Sequence, residues 1–488
     1  MTDPVWILLA LAVPFIGVLL IALAGRWPNL REAVTLLTAA ALFLVVARLA
    51  PAVLDGNRPT LSLFEMLPGV DIAFRVEPLG LLFACVASLL WIVNSVYSIG
   101  YMRGNQEANQ TRFYVCFAVA LGSTMGIAFA ANMLTLFLFY EALTLSTYPL
   151  VIHSGKPEAL RGGRVYLGVL LTTSIGLLLL AMLWTWSSAG TLEFTPGGVL
   201  AGRVGPAAIG VLLALYMFGI GKAAIMPVHR WLPAAMVAPT PVSALLHAVA
   251  VVKAGVFTVV KVIVYIFGID TLRPLAEVGW LIYVAGATVL IASVIALRQD
   301  NLKRMLAYST VSQLSYVVLA AAVLAPLSIV GAALHIAAHA FGKITLFFAA
   351  GSIYTAAHKT EISQLAGIGR RMPWTMGAFA VGALSMIGVP PTFGFVSKWY
   401  MLLGALQAGQ LFAVAVIIVS TLLNAAYFLP IVHAAFFRAA TDIDHGDHGE
   451  APLPIVLAVV ATAVGTIVLF GVAGLPLDLA YRIVGGQP

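Results

Sequence analysis

The sequence predicts an all-α, polytopic membrane protein of about fourteen transmembrane helices, with two inverted five-helix repeats in which helices seven and twelve are broken. Three observations carry this prediction. Hydrophobic residues fill 61% of the 488 positions and charged residues only 9%, against about 25% charged in ordinary globular proteins, too few to cover a soluble surface of this size. Apolar stretches of the roughly 20 residues needed to cross a bilayer recur along the whole chain, and mean hydropathy reaches +1.03. Two of those stretches carry proline and glycine beside a buried lysine, Lys222 and Lys398.

The spans read, in order, as about 4–24, 33–53, 78–101, 113–131, 133–152, 165–187, 206–227, 242–267, 275–297, 306–325, 328–354, 375–405, 410–437 and 453–475. The shortest gap falls at Asn132. The residues left over suffice only for short loops, so no sizeable soluble domain is expected. Asp3 precedes the first span and Arg26 and Arg31 follow it. A secretory signal carries its positive charge in front, so the first span reads as uncleaved, with its N-terminus outside. Loop charges test that orientation: fifteen Lys and Arg residues fall on the inner side and six on the outer, the bias the positive-inside rule requires. An even number of spans puts the C-terminus outside too, in a bacterial cell (inner) membrane.

Five lysines remain at membrane depth, namely Lys222, Lys253, Lys261, Lys343 and Lys398, with no arginine among them. A charge at the bilayer centre costs about 2.5–3.5 kcal/mol even on the lenient insertion scale. Arginine keeps its proton inside a protein, whereas a buried lysine can release one, so the set reads as protonatable stations. Snorkelling or structural pairing is the alternative, most of all for Lys261 near its helix end. Lys222 lies in Gly219-Ile220-Gly221-Lys222-Ala223-Ala224-Ile225-Met226-Pro227, and Lys398 follows Gly388-Val389-Pro390-Pro391-Thr392-Phe393-Gly394. Pro227 cannot donate to the carbonyl of Ala223, so the helix opens beside the lysine, and freed backbone at membrane depth must line water or protein. The two breaks lie five spans apart. Spans four to eight and nine to thirteen would then be two copies of one unit, and an odd-numbered unit repeated in tandem must be inverted, which is a transporter design. The implied division is 1–112, 113–268, 269–438 and 439–488.

His335, His339 and Lys343 recur every four residues and share one helical stripe, suited to relaying protons because imidazoles titrate near neutral pH. The same spacing could hold haem or a metal between spans, although no partner histidine pair stands out elsewhere. His247 and Lys253 lie some 120° apart on a regular helix, so either the helix unwinds between them or they serve different segments. Among the acids, Glu141 alone reads as lying well inside a span. Lys222 is the expected cation partner, on the same inner face and within direct or water-bridged reach. A purely structural ion pair is the other reading. The run Thr441-Asp442-Ile443-Asp444-His445-Gly446-Asp447-His448-Gly449-Glu450 reads as a solvated inner loop, with a metal site the alternative.

Other classes are excluded. The net charge of +7 is dispersed over loops, which excludes nucleic-acid binding. Cys85 and Cys116 both lie in apolar stretches without CxxC or CxxCH, so no disulfide framework, zinc site or covalent haem is expected. No P-loop, Rossmann fingerprint or catalytic triad occurs, so no cofactor, metal or catalytic centre of its own is expected.

The run Pro227-Val228-His229-Arg230-Trp231-Leu232-Pro233 through Pro239-Thr240-Pro241-Val242-Ser243-Ala244-Leu245-Leu246-His247 resembles the antiporter-like subunits shared by complex I, Mrp cation/proton antiporters and membrane-bound hydrogenases. So do Asp300-Asn301-Leu302-Lys303-Arg304 through Gln313, Val252-Lys253-Ala254-Gly255, and Gly394-Phe395-Val396-Ser397-Lys398. The resemblance covers about residues 75–435. It implies a fourteen-helix subunit with a central proton path through the positions of Glu141, Lys222, Lys253, His339, Lys343 and Lys398. To these the sequence reading adds His247 and His335. It further implies partner membrane subunits and surrounding lipid, with protons as cargo and Na+ open as a second ion. Length resembles the Mrp D subunit and the M and N types, while the Val-Lys-Ala-Gly run resembles the L type and Mrp A. Ala234 stands where many relatives have an acid, and Lys398 where the M type has glutamate. The expectation leans to an Mrp D-like subunit, with complex I-like, hydrogenase and inorganic-carbon-uptake hosts, a membrane subunit driving a soluble enzyme, and a self-contained transporter as alternatives.

Overall fold

The computed structural model describes residues 3–439 and 449–486. The stretch 440–448, which holds most of the His/Asp-rich loop, lies outside the described residues. Among the described residues, twelve helices are long and apolar enough to cross a bilayer, and two shorter apolar helices, Pro206–Gly219 and Pro373–Ile387, join them. These fourteen match the expected spans one for one, and the two short ones belong to spans seven and twelve. At 1.5 Å per residue a 14- or 15-residue helix reaches only about 21–23 Å, so each must be completed by further chain.

Span seven ends at Gly219 and continues through a 3-10 turn at Gly221–Ala223. Ala224 then adopts a left-handed conformation with φ 55°. Span twelve ends at Gly388, whose φ of 90° only glycine adopts without strain, and restarts as Phe393–Gln407. Span eight, Thr240–Phe267, is interrupted by a π turn at Leu245–Val249. His247 lies in that turn, which ends at Ala250 before the helix Val251–Lys261 that carries Lys253, so the helix does unwind between them.

The gap at Asn132 is real. Its side chain accepts from Thr135 N at 2.8 Å and caps Met133–Val151. Its amide also donates to Asp71 O at 2.7 Å, which ties down an element absent from the all-helical expectation. This is an antiparallel hairpin of β1 (Thr60–Leu67) and β2 (Val70–Arg75). Pro68 and Gly69, with φ 75° at Gly69, form the turn between them. The hairpin marks one face of the molecule, called the hairpin face below. A further short helix, Gly474–Ile483, follows span fourteen.

Burial sorts the spans. Span eight and span eleven (Pro326–Ala357) are 100% buried along their most apolar windows, whereas spans one, two, six, thirteen and fourteen are 33–39% buried. The last group forms the lipid-facing rim, carrying exposed Leu19, Leu37, Leu183, Leu422 and Leu457. The two central spans carry most of the ionisable residues at membrane depth, so those groups are surrounded by protein.

Candidate functional site

The site begins at the break in span seven. Lys222 is fully buried. Its Nζ donates to Tyr140 O at 2.8 Å and Thr144 Oγ1 at 2.6 Å, and lies 3.1 Å from the Tyr140 ring centroid. Both residues sit on span five, Met133–Val151. The Trp231 indole donates to Gly221 O at 2.9 Å, a carbonyl of the break that also accepts from Ala224 N at 3.0 Å. Gly255 of span eight abuts this backbone: a Cβ there would lie 2.3 Å from Lys222 C and Ala223 N.

The expected direct pairing of Glu141 with Lys222 is not made. Among the described residues no Glu141 oxygen comes within ion-pair distance of that ammonium, whose donors go to a carbonyl and a hydroxyl instead. Both Glu141 oxygens are buried without a hydrogen-bond partner.

From span eight the chain of polar groups continues across the centre. Lys253 Nζ and His339 Nδ1 are 2.5 Å apart. The His339 and His335 rings are 6.0 Å apart, centroid to centroid. His335 Nε2 meets Gln313 Oε1 at 3.0 Å and His335 Nδ1 meets Ser397 Oγ at 2.9 Å. Gln313 Nε2 donates to Met386 O at 3.3 Å, and the same carbonyl accepts from Lys398 Nζ at 2.8 Å. Lys398 also donates to Ile387 O at 2.9 Å. It is therefore held by the last carbonyls of Pro373–Ile387, the negative end of a half-helix. Lys343 takes a side position, donating to Leu306 O at 3.2 Å. His247 is fully buried, 4.7 Å from the Phe347 ring, with neither ring nitrogen partnered.

Lys261 differs from the other four lysines. It forms a buried ion pair with Glu77 at 2.6 Å, which Arg75 extends to Glu193 at 2.8 Å. This takes the structural alternative for Lys261. Glu77 immediately precedes span three and is 5% exposed. Breaking such a pair costs about 3–5 kcal/mol, which makes it a clasp between the hairpin and span eight. Sequence reading also missed the acceptors Tyr140, Thr144 and Met386 as partners, together with Gln313, Ser397 and Asn424, whose amide donates to Met386 O at 3.4 Å. Among the described residues no cluster of three His, Cys, Asp or Glu residues fit to hold a metal occurs.

On the face opposite the hairpin, a cavity of about 300 Å³ is lined by Tyr101, Glu107, Lys156, Thr240, Lys303 and Tyr354. Burial pushes the Glu107 carboxyl above its ordinary range, with Lys156 and Lys303 opposing.

Residues 130–424 match the family described as NADH:quinone oxidoreductase/Mrp antiporter, TM. NADH-quinone oxidoreductase subunit N of Desulforudis audaxviator is 33% identical over 392 residues, 79% of this chain and 77% of that one. Subunit L of Mycobacterium tuberculosis is 32% identical over 427 residues, 84% of this chain but 65% of that longer one. In fold, a chain of the Mrp complex from Dietzia superimposes with a TM-score of 0.88 at 23% identity, covering 99% of this chain and 97% of that one. The chain spans about two thirds of the length of the subunit L relative. Sequence match, relatives and architecture converge, and the chain belongs to the transmembrane family shared by NADH:quinone oxidoreductases and Mrp antiporters.

Proposed function

We propose that the chain is the proton-translocating membrane subunit of a multi-subunit Mrp-type Na+/proton antiporter. The observation that carries this reading is the run of buried polar groups from Lys253 through His339, His335, Gln313 and the Met386 carbonyl to Lys398. Each protonatable member is wholly or almost wholly buried, and each has a neighbour close enough for a proton to pass directly or through one water. Glu141 and Lys222 stand at the other end, and His247 and Lys343 flank the middle.

In this reading residues 113–268 and 269–438 are the inverted repeats, each with one break and one lysine beside it. Residues 1–112 and 439–488 are the flanking helices. Both termini lie outside a bacterial inner membrane, as the asymmetry of loop charge favours, so the cavity of Glu107 and Lys303 faces inward. Other membrane subunits complete the complex and supply the driving reaction. The near-complete overlap with a chain of an Mrp complex supports the Mrp assignment. The 33% identity to a subunit N supports a complex I-like host as the second reading.

The test uses the native complex purified with its partners and reconstituted in vesicles. Co-purifying redox subunits favour the second reading. Na+ movement coupled to a pH gradient, in a complex of membrane subunits alone, favours the first. In either host, Lys222→Ala is expected to abolish coupled proton flux while the complex assembles. Wild-type flux in that variant removes Lys222 from the path.

A further inference from the structure

Span three carries buried polar atoms that the chain described above does not use. Trp91 Nε1 and both side-chain atoms of Asn94 are buried without a partner, and Asn94 is 1% exposed. Across from them, both nitrogens of His247 are equally unpartnered. Buried polar groups are almost always hydrogen-bonded, to protein or to ordered water.

Their depth follows from two fixed points. Spans three and eight run antiparallel, touching where Thr240 Oγ1 meets Tyr101 OH at 3.5 Å and where Lys261 meets Glu77 at 2.6 Å. Asn94 and His247 each lie seven residues from the first contact, about 10 Å along each helix axis. They therefore share one level, and span three packs directly on the π turn that carries His247. Tyr101 and Thr240 are also the inner wall of the 300 Å³ cavity on the face opposite the hairpin. Just beyond them Tyr97 donates to Phe348 O at 3.1 Å. Its hydroxyl presses on Gly351, where a Cβ would lie 2.1 Å from the oxygen and 2.7 Å from Thr240 Cγ2. Only glycine leaves room there for the Tyr97 hydroxyl.

We propose that Asn94 and Trp91 hold ordered water between span three and the π turn of span eight, making a proton inlet from the Glu107/Lys303 cavity to His247. The inlet rests on the proton-translocating reading above and adds a positioning role for span three, which lies outside both proposed repeats. An amide and an indole N–H anchor water without competing for its proton, and His247 supplies the group that receives it.

The experiment is cysteine accessibility in the assembled complex, in sealed vesicles of each orientation, with Cys85→Ala and Cys116→Ala as background. A small, charged, membrane-impermeant thiol reagent should label Asn94→Cys from the face opposite the hairpin and not from the hairpin face. Ser154→Cys, at the exposed mouth, shows that the reagent reaches that side. Proton flux gives the second measurement. Asn94→Leu fills the space without polar atoms and should lower flux about tenfold, since displacing a well-ordered water without replacing its bonds is unfavourable. Asn94→Ser keeps an anchor and should retain most of the flux. Absence of labelling where Ser154→Cys labels, labelling from the hairpin face, or wild-type flux in Asn94→Leu overturns the inlet. Lys253→Ala separates the two claims: if it too transports normally, the translocating reading itself fails.

Discussion

A buried ammonium has three donors to satisfy, and the acceptors it finds decide what it can do. Lys398 uses two carbonyls at the end of a half-helix, Met386 O and Ile387 O, and Lys222 uses a carbonyl, a hydroxyl and a tyrosine face. Neutral dipoles of this kind stabilise a charge without the full loss that follows when one member of a carboxylate pair is neutralised. Lys261 has such a carboxylate, Glu77, and is correspondingly fixed. Glu141 stands between these cases, its oxygens buried and unpartnered on the same helix as the Lys222 acceptors Tyr140 and Thr144. Glu141→Gln keeps the shape and removes the charge. It should collapse coupled proton flux while leaving assembly intact, and Glu141→Asp should keep part of the flux. Normal pumping by Glu141→Gln, measured in the same vesicles, would leave the residue a structural role only. The lysines were legible in the sequence because a charge in an apolar run is conspicuous. Their acceptors were not, because a backbone carbonyl such as Met386 O has no signature in residue type. Glu77 escaped because it precedes its span, and only the folded hairpin carries it against Lys261.

The elements that matter are those that depart from regular helix. Proline announced the breaks in spans seven and twelve, since it cannot donate and its ring displaces the preceding turn. The π turn of span eight had only an indirect signal, the 120° discrepancy between His247 and Lys253, which left two answers open. The hairpin was legible in principle: Val70, Ile72 and Phe74 alternate after Pro68-Gly69, but strand periodicity is easily overlooked in a chain this apolar. Close helix approach depends on single glycines. Gly255 is the sharpest case, because the atoms a methyl group would meet are the Lys222 and Ala223 backbone. Gly255→Ala should therefore displace the break itself, lowering the thermal stability of the complex by about 1–3 kcal/mol, the usual cost of overpacking, and reducing proton flux. Unchanged melting and flux would mean that the break can shift freely.

At the scale of the whole molecule, the arrangement places lipid-facing helices outside and two fully buried spans, eight and eleven, at the centre. Those two spans meet at Lys253 and His339, a contact that joins a lysine of the first proposed repeat to a histidine of the second. The number and order of spans could be read from hydropathy alone, but which spans were central could not, since every span is apolar; what marks these two is complete burial together with the ionisable groups they carry. If the buried chain is the route of the protons, this junction cannot be bypassed. The decisive measurement is proton flux in vesicles holding the complete complex with Lys253→Ala. Loss of coupled flux with the complex intact is the predicted result, and flux equal to wild type would contradict the account.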